Sequence, residues 1–260
     1  MKSSIVITLH GVAPDNKSID GQDTGAAKYT IARSTFIEIA SLIKNNQNCT
    51  IEEFVDNPSG TYSILTFDDG LISDYEEAFP VLLDKGLKAT FFVTTENIGK
   101  SGYMNRSQIN EMASHGMEIA SHGLQHRYLV DLPESDARRE LADSKENLQQ
   151  LMGRSVTSFA PVGGHYLPWM IGFANDSGYR AFATMIPGRT FCCHTGSPLV
   201  IRRNHVQSHH QLSYISSLIN GDKYLLTKNR IRYTLLTIPK LLLGMDAYDR
   251  IKRNLIGESH

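Results

Sequence analysis

Short apolar runs, rich in β-branched and aromatic residues, alternate along this chain with longer segments in which apolar residues recur every three or four positions. The short runs predict buried strands, and the longer segments predict amphipathic helices. The predicted strands are residues 4–9, 63–67, 88–95, 117–121, 156–161, 179–184 and 199–206. Their alternation with helical segments predicts an α/β fold with a mainly parallel sheet or barrel.

Four helical segments stand out, and they cover residues 30–44, 73–85, 106–114 and 134–152. The last is the strongest, because it opens at Pro133, carries an apolar stripe and ends at Gly153. We expect that stripe to be buried through Ala137, Leu141, Leu148 and Leu151. No repeat or linker interrupts the pattern. We therefore expect one barrel domain over residues 1–222, with a helical extension over residues 223–260 packed on it.

Composition and charge exclude several classes of protein. The 260 residues hold 26 Lys and Arg against 27 Asp and Glu, whereas a nucleic-acid-binding protein normally has a basic excess. Three cysteines, two of them adjacent at Cys192 and Cys193, make no disulfide framework and favour a reducing compartment. The N-terminal apolar run is too short for a secretory signal, and no segment has the roughly 18 apolar residues of a membrane span. We expect a cytoplasmic protein that binds no nucleic acid.

The first candidate for chemistry is the stretch SILTFDDG, where a predicted strand ends in two adjacent carboxylates, Asp68 and Asp69. The second is SHGLQH, where His122 and His126 follow another predicted strand at a spacing of four residues. In a parallel barrel the carboxyl ends of all strands open on one face, so the two motifs can converge there. The alternative is that the carboxylates cap the next helix and that the histidines are surface residues.

Convergence of these motifs would provide the ligands of a transition metal. Two histidines and one carboxylate form a facial triad with open positions for water and substrate. No glutamate lies between the histidines to act as a base, so the second carboxylate is the candidate general base. Zinc is the default metal for such a set, with cobalt, nickel and iron as alternatives.

The motif TFDDG, followed some fifty residues later by SHGLQH, resembles the polysaccharide deacetylases of the NodB-homology, carbohydrate esterase family 4 type. The stretch KATFFVTTENIG between the motifs is similar as well, and the resemblance covers roughly residues 4–206. It implies a distorted (β/α) barrel with fewer than eight strands, a divalent metal and hydrolysis of an N-acetyl group from a sugar. By position it implies that Asp68 is the catalytic base and that Asp69, His122 and His126 are the metal ligands.

The third motif of the family, R-x-P-[FY], is altered in this chain. Here the stretch is FAPVGGHY, in which Phe159 stands where the family has an arginine, and it resembles the version of exopolysaccharide-cluster members. We expect Val162, Gly163 and Gly164 to bring backbone N–H groups close to the substrate, although an ordinary turn is the alternative. Arg203 is the candidate to replace the missing arginine.

The catalytic acid of the family lies in a Leu-x-His motif that this chain lacks. The stretch VIRRNHV has a comparable position, which makes His205 the candidate acid. His10, at the end of the first predicted strand, and His165 are alternatives. Residues in such positions are more often structural or surface residues, which is the alternative for each of these histidines and for Arg203.

Beyond residue 222, apolar and basic residues interleave. We expect one or two amphipathic helices packed on the barrel. The alternative is a helix at the inner face of a membrane, with Arg230, Arg232, Lys240, Lys252 and Arg253 facing anionic lipid.

The leading functional hypothesis is a metal-dependent deacetylase of an N-acetylated sugar in a polysaccharide or glycan precursor. One alternative is a glycan-binding relative without turnover, which the missing arginine would explain. The other is a hydrolase of a non-sugar amide. Acetate release from an N-acetylated oligosaccharide separates the first hypothesis from both alternatives. The sequence carries no signal of oligomeric state.

Overall fold

Eleven strands are present in the computed structural model, which describes residues 3–15, 28–191 and 198–243. In chain order they are β1 (Ser3–Leu9), β2 (Val12–Ala13), β3 (Ile31–Ala32), β4 (Ser63–Phe67), β5 (Ala89–Val93), β6 (Glu118–Ser121), β7 (Ser158–Phe159), β8 (Ala181–Thr184), β9 (Thr190–Phe191), β10 (Leu199–Arg202) and β11 (Asn204–His205). Each strand predicted from the sequence overlaps at least one of them.

Eight α-helices lie in the same described residues. They are α1 (Arg33–Lys44), α2 (Ile51–Asp56), α3 (Phe79–Lys85), α4 (Arg106–Ser114), α5 (Glu134–Met152), α6 (Pro168–Asp176), α7 (Leu212–Ile219) and α8 (Lys223–Leu243). The bounds of α4 and α5 are those predicted. Gly153 ends α5 in the left-handed conformation, φ 68°, which glycine adopts without a steric penalty.

The predicted helix over residues 73–85 differs in its first half, where Asp74–Ala78 is a π-helical turn. The N–H of Phe79 bonds to the C=O of Asp74, five residues back. The next residue, Pro80, has no N–H to donate to a regular helical bond. The wider turn therefore precedes the proline, and regular α-helix begins only at α3.

The main sheet is parallel along its path, in the order β10-β8-β7-β6-β5-β4-β1-β11, and β9 joins β1 in antiparallel orientation. Its two edge strands, β10 and β11, are consecutive in the chain and are separated by Arg203 alone. The sheet therefore curls into a nearly closed barrel, which confirms the α/β barrel class. The path has eight strands rather than fewer, because two-residue strands at β7 and β11 complete it.

Side chains alternate along the strands between two apolar layers, as the period of two in a strand requires. Ile7, Leu65 and Phe91 belong to the larger core, which includes the helices. Val6 and Ile64 belong to a second cluster that fills the barrel interior together with small residues such as Ala120 and Ala160. Strands buried on both faces explain the near-continuous apolar runs in the sequence.

The C-terminal segment is described as far as Leu243, and α8 packs on the barrel side through Leu226. The amide of Asn229 donates to the Tyr214 hydroxyl of α7 at 2.8 Å. Arg230 and Arg232 are exposed, whereas Lys252 and Arg253 lie outside the described residues, as do Cys192, Cys193 and the side chain of Lys240. Among the described helices, none is both long and apolar enough to cross a membrane. Contact with a membrane surface and the division at residue 222 stay predictions.

Helix α5 provides the first test of the packing. Leu148 is fully buried, so Leu148→Ala should lower the free energy of unfolding by about 2–5 kcal/mol through lost burial and a residual cavity. Leu83→Ala on α3 is the matched control, because Leu83 is 42% exposed and should cost less than about 1 kcal/mol. Urea unfolding of both variants measures the difference. Equal losses would mean that the stripe of α5 is not packed as described.

Candidate metal centre and active site

Side chains that alternate along the strands fill the barrel interior. The same alternation places reactive side chains at the carboxyl end of the barrel. Ile64 and Thr66 in β4 are followed on the same face by Asp68, and Ala120 in β6 is followed on the same face by His122. β4 and β6 flank β5 in the sheet, so both groups arrive at one end of the barrel. The two sequence motifs therefore meet there.

Asp68 makes a buried ion pair with Arg203. The guanidinium donates through Nη1 to Oδ1 at 2.6 Å and through Nη2 to Oδ2 at 3.0 Å, and both side chains are almost wholly buried. Arg203 also donates from Nε to the Thr184 carbonyl at 3.2 Å, and its guanidinium lies 5.0 Å from the Phe92 ring centroid. This geometry orients both carboxylate oxygens of Asp68.

The protonation of Asp68 is decided by two opposing effects. Burial raises the pKa of the carboxyl, but the positive charge of Arg203, together with His122 and His10, lowers that pKa below its usual value. The carboxylate is therefore ionised at neutral pH and can accept a proton.

The side chain of Asp69 contacts both histidines of the second motif. Its Oδ1 lies 2.9 Å from His126 Nε2 and 3.4 Å from His122 Nε2. One ligand atom from each of the three residues lies within 4.8 Å of the others, close enough to surround a single ion. Burial raises the pKa of Asp69, yet its hydrogen bonds with His122 and His126 bring that pKa well below the usual range.

The His122 ring is oriented by a backbone group. Its Nδ1 lies 2.8 Å from the Ala160 carbonyl oxygen, which can only accept, so the ring carries its proton on Nδ1. Nε2 faces Asp69, and it is the nitrogen that this ring can offer to a metal ion. An outer hydrogen bond of this kind fixes the tautomer and direction of a metal-ligating histidine.

The backbone at two of the three candidate ligands is in an unusual conformation. Asp69 has φ 80° and His126 has φ 56°, and within the described residues they are the two non-glycine residues with positive φ. Such positions cost free energy and cluster at functional sites. The following Gly70 has φ 76°, and a Cβ there would lie 3.0 Å from the Val93 side chain. The Asp-Asp-Gly turn thus sends the two carboxylates in different directions.

The loop between His122 and His126 is held by Glu140, a buried residue of α5 that the sequence analysis missed. One carboxylate oxygen, Oε2, accepts from the N–H of Leu124 at 2.6 Å and from that of Gln125 at 3.2 Å. The only sequence signal was a polar residue at helical spacing within the apolar stripe of Ala137 and Leu141.

The altered third motif forms a tight turn beside His122, in the 3₁₀ turn Val162–Gly164. A Cβ on Gly164 would lie 2.4 Å from Met185 Cγ, so the turn requires glycine there. The N–H of Gly164 bonds to Pro161 O, which leaves Val162 and Gly163 as the N–H groups to consider at the site. Phe159, where the family has arginine, packs its ring 5.3 Å from that of Tyr179 in the core.

Two of the three candidate acids, His205 and His10, lie in or directly after neighbouring strands, whereas His165 follows the turn of the third motif. His205 in β11 is paired in register with Thr8 of β1, and His10 follows that strand. Burial and the nearby positive groups lower the pKa of His205 to about 4, so its imidazole is neutral at pH 7. His10 lies near enough to influence Asp68, Asp69 and His205 electrostatically. His165 contacts Tyr128, with the ring centroids 5.5 Å apart.

A further carboxyl behind the site was not predicted from the sequence. Asp74 is fully buried, and neither of its carboxyl oxygens has a hydrogen-bond partner among the described residues. Burial, followed by repulsion from Asp69, raises the pKa of Asp74 well above its usual value and favours the neutral carboxyl. Asp74 is therefore less readily ionised than Asp68 and Asp69, whose pKa values are lowered.

Comparison with known proteins identifies the class to which this architecture belongs. Residues 56–182 match the family model described as polysaccharide deacetylase. These residues, just under half of the chain, form a polysaccharide deacetylase domain. The family resemblance given by the two motifs is thereby confirmed.

Particular relatives match only part of their length. YxkH of Bacillus subtilis, whose name refers to the same family, is 34% identical over 131 residues, which are 50% of this chain and 47% of that protein. Peptidoglycan-N-acetylglucosamine deacetylase of Bacillus cereus is 28% identical over 137 residues, again 50% of this chain and 47% of the relative. The match thus spans about half the length of these relatives.

Solved structures confirm the fold. Streptococcus pyogenes deacetylase PplD has a TM-score of 0.72 at 20% identity, over 84% of this chain and 97% of that chain. IcaB of Ammonifex degensii has a TM-score of 0.69 at 21% identity, over 85% of this chain and 97% of that chain. At this level of identity the likeness is one of fold.

The role of Glu140 can be tested by metal binding alone. Glu140→Ala should weaken zinc binding about 10–100-fold, because two loop N–H groups lose their acceptor and the two histidines lose their spacing. Calorimetric titration of zinc into the purified protein measures the effect. Glu146→Ala, an exposed position on the same helix, is the control and should bind zinc normally. Unchanged affinity in Glu140→Ala would contradict the proposed support.

Proposed function

We propose that this chain is a metal-dependent hydrolase that removes the N-acetyl group from an N-acetylated sugar of a polysaccharide or glycan precursor. The observation that carries the proposal is the pairing of a His-His-Asp cluster with a second carboxylate that is kept ionised by Arg203. The match of residues 56–182 to the polysaccharide deacetylase model supports the same reaction. The names of two relatives, chitin deacetylase and peptidoglycan-N-acetylglucosamine deacetylase, support a polymer containing N-acetylglucosamine.

Asp69, His122 and His126 are the proposed ligands of the metal. The donor set fits a transition ion, since two imidazoles and one carboxylate can bind while other positions remain for water and substrate. The orientation of His122 supports this role, because the Ala160 carbonyl holds Nδ1 and directs Nε2 towards Asp69. Zinc is the expected ion, with cobalt, nickel and iron as alternatives.

The chemistry of amide hydrolysis divides between the ion and the side chains. When bound, a divalent metal polarises the amide carbonyl and lowers the pKa of water. We assign to Asp68 the proton taken from the attacking water, because its carboxylate is ionised and rigidly oriented. Arg203 holds Asp68 in position and takes the place of the arginine that Phe159 replaces.

The remaining roles are assigned by position. The N–H of Val162 or Gly163 is proposed to donate to the oxyanion, with Gly164 allowing the close turn. His205 is the proposed proton donor to the departing amine. Because its pKa of about 4 leaves it neutral in the free chain, it must gain a proton once substrate is bound. His10 is the alternative donor.

The alternative of a relative without turnover was motivated by the missing arginine. The contact of Arg203 with Asp68 supplies the cation that Phe159 cannot, which favours the enzyme over this alternative. The non-sugar amide hydrolase uses the same groups and differs only in substrate.

Acetate release tests the proposal directly. The zinc-loaded protein should release acetate from N-acetylated chitooligosaccharides, and a chelator should abolish that release. Turnover of a small non-sugar amide without any acetate release from sugar substrates would favour the non-sugar amide hydrolase. Zinc binding without turnover of either class would favour a glycan-binding relative.

Substitution of Asp68 and of Asp69 should impair different properties, turnover in the first case and zinc binding in the second. Asp68→Asn keeps the shape but cannot accept a proton, so zinc binding should persist while turnover falls by about 10²–10⁴-fold. Asp69→Asn offers a weaker ligand, so zinc affinity should fall first, and excess zinc should restore part of the activity. Zinc content and rate are measured side by side. Equal and mild effects in both variants would contradict the catalytic assignment.

Arg203 should control the acid side of the pH-rate profile. Activity requires ionised Asp68, so the rate falls as the pH drops through its pKa, which Arg203 keeps low. In Arg203→Met burial acts without the opposing charge, and the acid limb should move to higher pH. Arg203→Lys keeps a positive charge, so its acid limb should lie between those of the unaltered protein and of Arg203→Met. Circular dichroism checks folding, and an unchanged limb in both variants would exclude this role.

A further inference from the structure

A pocket of about 280 Å³ lies beside the candidate active site, between the carboxyl end of the barrel and the C-terminal helix α8. On the barrel side its wall includes His205 and Gln207. On the other side α8 contributes Asn229, Arg232 and Tyr233. This helix lies outside residues 56–182, so the pocket has a wall that the matched family domain does not provide.

The pocket is continuous with the groups already assigned to the reaction. His205, the proposed proton donor, is part of its wall. Tyr29 also lines it and bridges towards the site, with its ring centroid 6.3 Å from that of His205 and 4.8 Å from that of His10. A substrate that extends beyond its reacting acetamido group can therefore reach the pocket.

The lining has an unbalanced charge. It includes Arg232, three tyrosines and three histidines, and no aspartate or glutamate is among its described residues. Arg232 makes no ion pair with any carboxylate in the described part of the chain. A guanidinium without a counter-charge, at the edge of a pocket with aromatic and amide groups, suits an oxyanion on a sugar.

The titration of the pocket histidines supports the same conclusion. Burial, together with His209 and Arg232, lowers the pKa of His210 to about 4. The pKa of His205 is lowered to the same value by burial and by His210, His10, Arg232 and His209. These groups disfavour one another's positive charge, and a bound anion would relieve that repulsion. It would also help His205 to gain the proton that its proposed role requires.

We propose that this pocket binds an anionic group, a phosphate or a carboxylate, carried by the glycan substrate, and that Arg232 is the residue that recognises it. The inference rests on the proposed deacetylase function and specifies its substrate class as an anionic N-acetylated glycan. Asn229 and Gln207 provide amide groups for neighbouring hydroxyls, and the tyrosine rings provide surfaces for a sugar.

Direct binding tests the pocket without any need for turnover. Calorimetry on the full chain compares N-acetylglucosamine with N-acetylglucosamine 6-phosphate and N-acetylmuramic acid, which carry a phosphate and a carboxylate. At least one anionic sugar should bind about tenfold or more tightly than the neutral one, as a charge-assisted hydrogen bond provides. The anion that gains more identifies the source of the charge.

Variants of α8 test whether Arg232 is responsible for the preference for an anionic sugar. Arg232→Gln should abolish the preference for the anionic sugar, and Arg232→Lys should retain part of it. Arg230→Gln is the matched control, because Arg230 is an exposed arginine of the same helix that does not line the pocket. It should keep the full preference.

The outcomes separate this inference from the proposed function. Equal binding of neutral and anionic sugars, or an unchanged preference in Arg232→Gln, would overturn the anion site even if acetate is released. A preference that depends on Arg232 would support the anion site even if no acetate is released, in which case the deacetylase proposal alone fails.

Discussion

The ion pair between Asp68 and Arg203 is the interaction on which the rest of this structure depends. Arg203 is the single residue between the two edge strands of the sheet, so its position is set by the near-closure of the barrel. Its guanidinium then lies in the interior and neutralises a carboxylate that would otherwise be costly to bury. Barrel closure and the ionised state of Asp68 are thus physically linked.

A second constraint acts on the candidate metal ligands. Asp69 and His126 both have backbone conformations that non-glycine residues rarely adopt, and each conformation aims a side chain at the other. Hydrogen bonds from the surrounding structure offset this strain. Glu140 accepts from the loop that carries His126, and the Ala160 carbonyl fixes the ring of His122. The cluster is therefore preorganised by residues that do not belong to it.

The C-terminal helix extends the same end of the barrel. Residues 56–182 account for the strands that carry the two motifs, whereas Arg203, His205 and α8 follow later in the chain. One wall of the pocket beside the candidate active site therefore lies outside the matched domain. Exposed apolar residues of α8, Tyr224, Ile231 and Leu235, lie opposite the face that packs on the barrel. The two faces of this helix therefore differ in environment.

Local signals in the sequence were enough to determine the class of fold and the elements that carry the site. Runs of apolar residues located β4 and β6, and the helical stripe and its terminal residues located α4 and α5 with their observed bounds. The spacing of four between His122 and His126, taken together with the pair Asp68 and Asp69, predicted a metal site, because each of these signals lies within one short stretch. Strands, helices and short motifs depend on residues that are close in the sequence, so the sequence pattern indicates them directly.

What tertiary structure decided was the pairing of groups that are distant in the chain. Arg203 lies 135 residues from Asp68, and Glu140 acts on a loop of a different element, so neither contact has a local signature. The π-helical turn before Pro80, the raised pKa of Asp74 and the pocket under α8 likewise depend on burial and on packing between elements. Burial sets the electrostatic cost of a charge, and only the folded chain defines it.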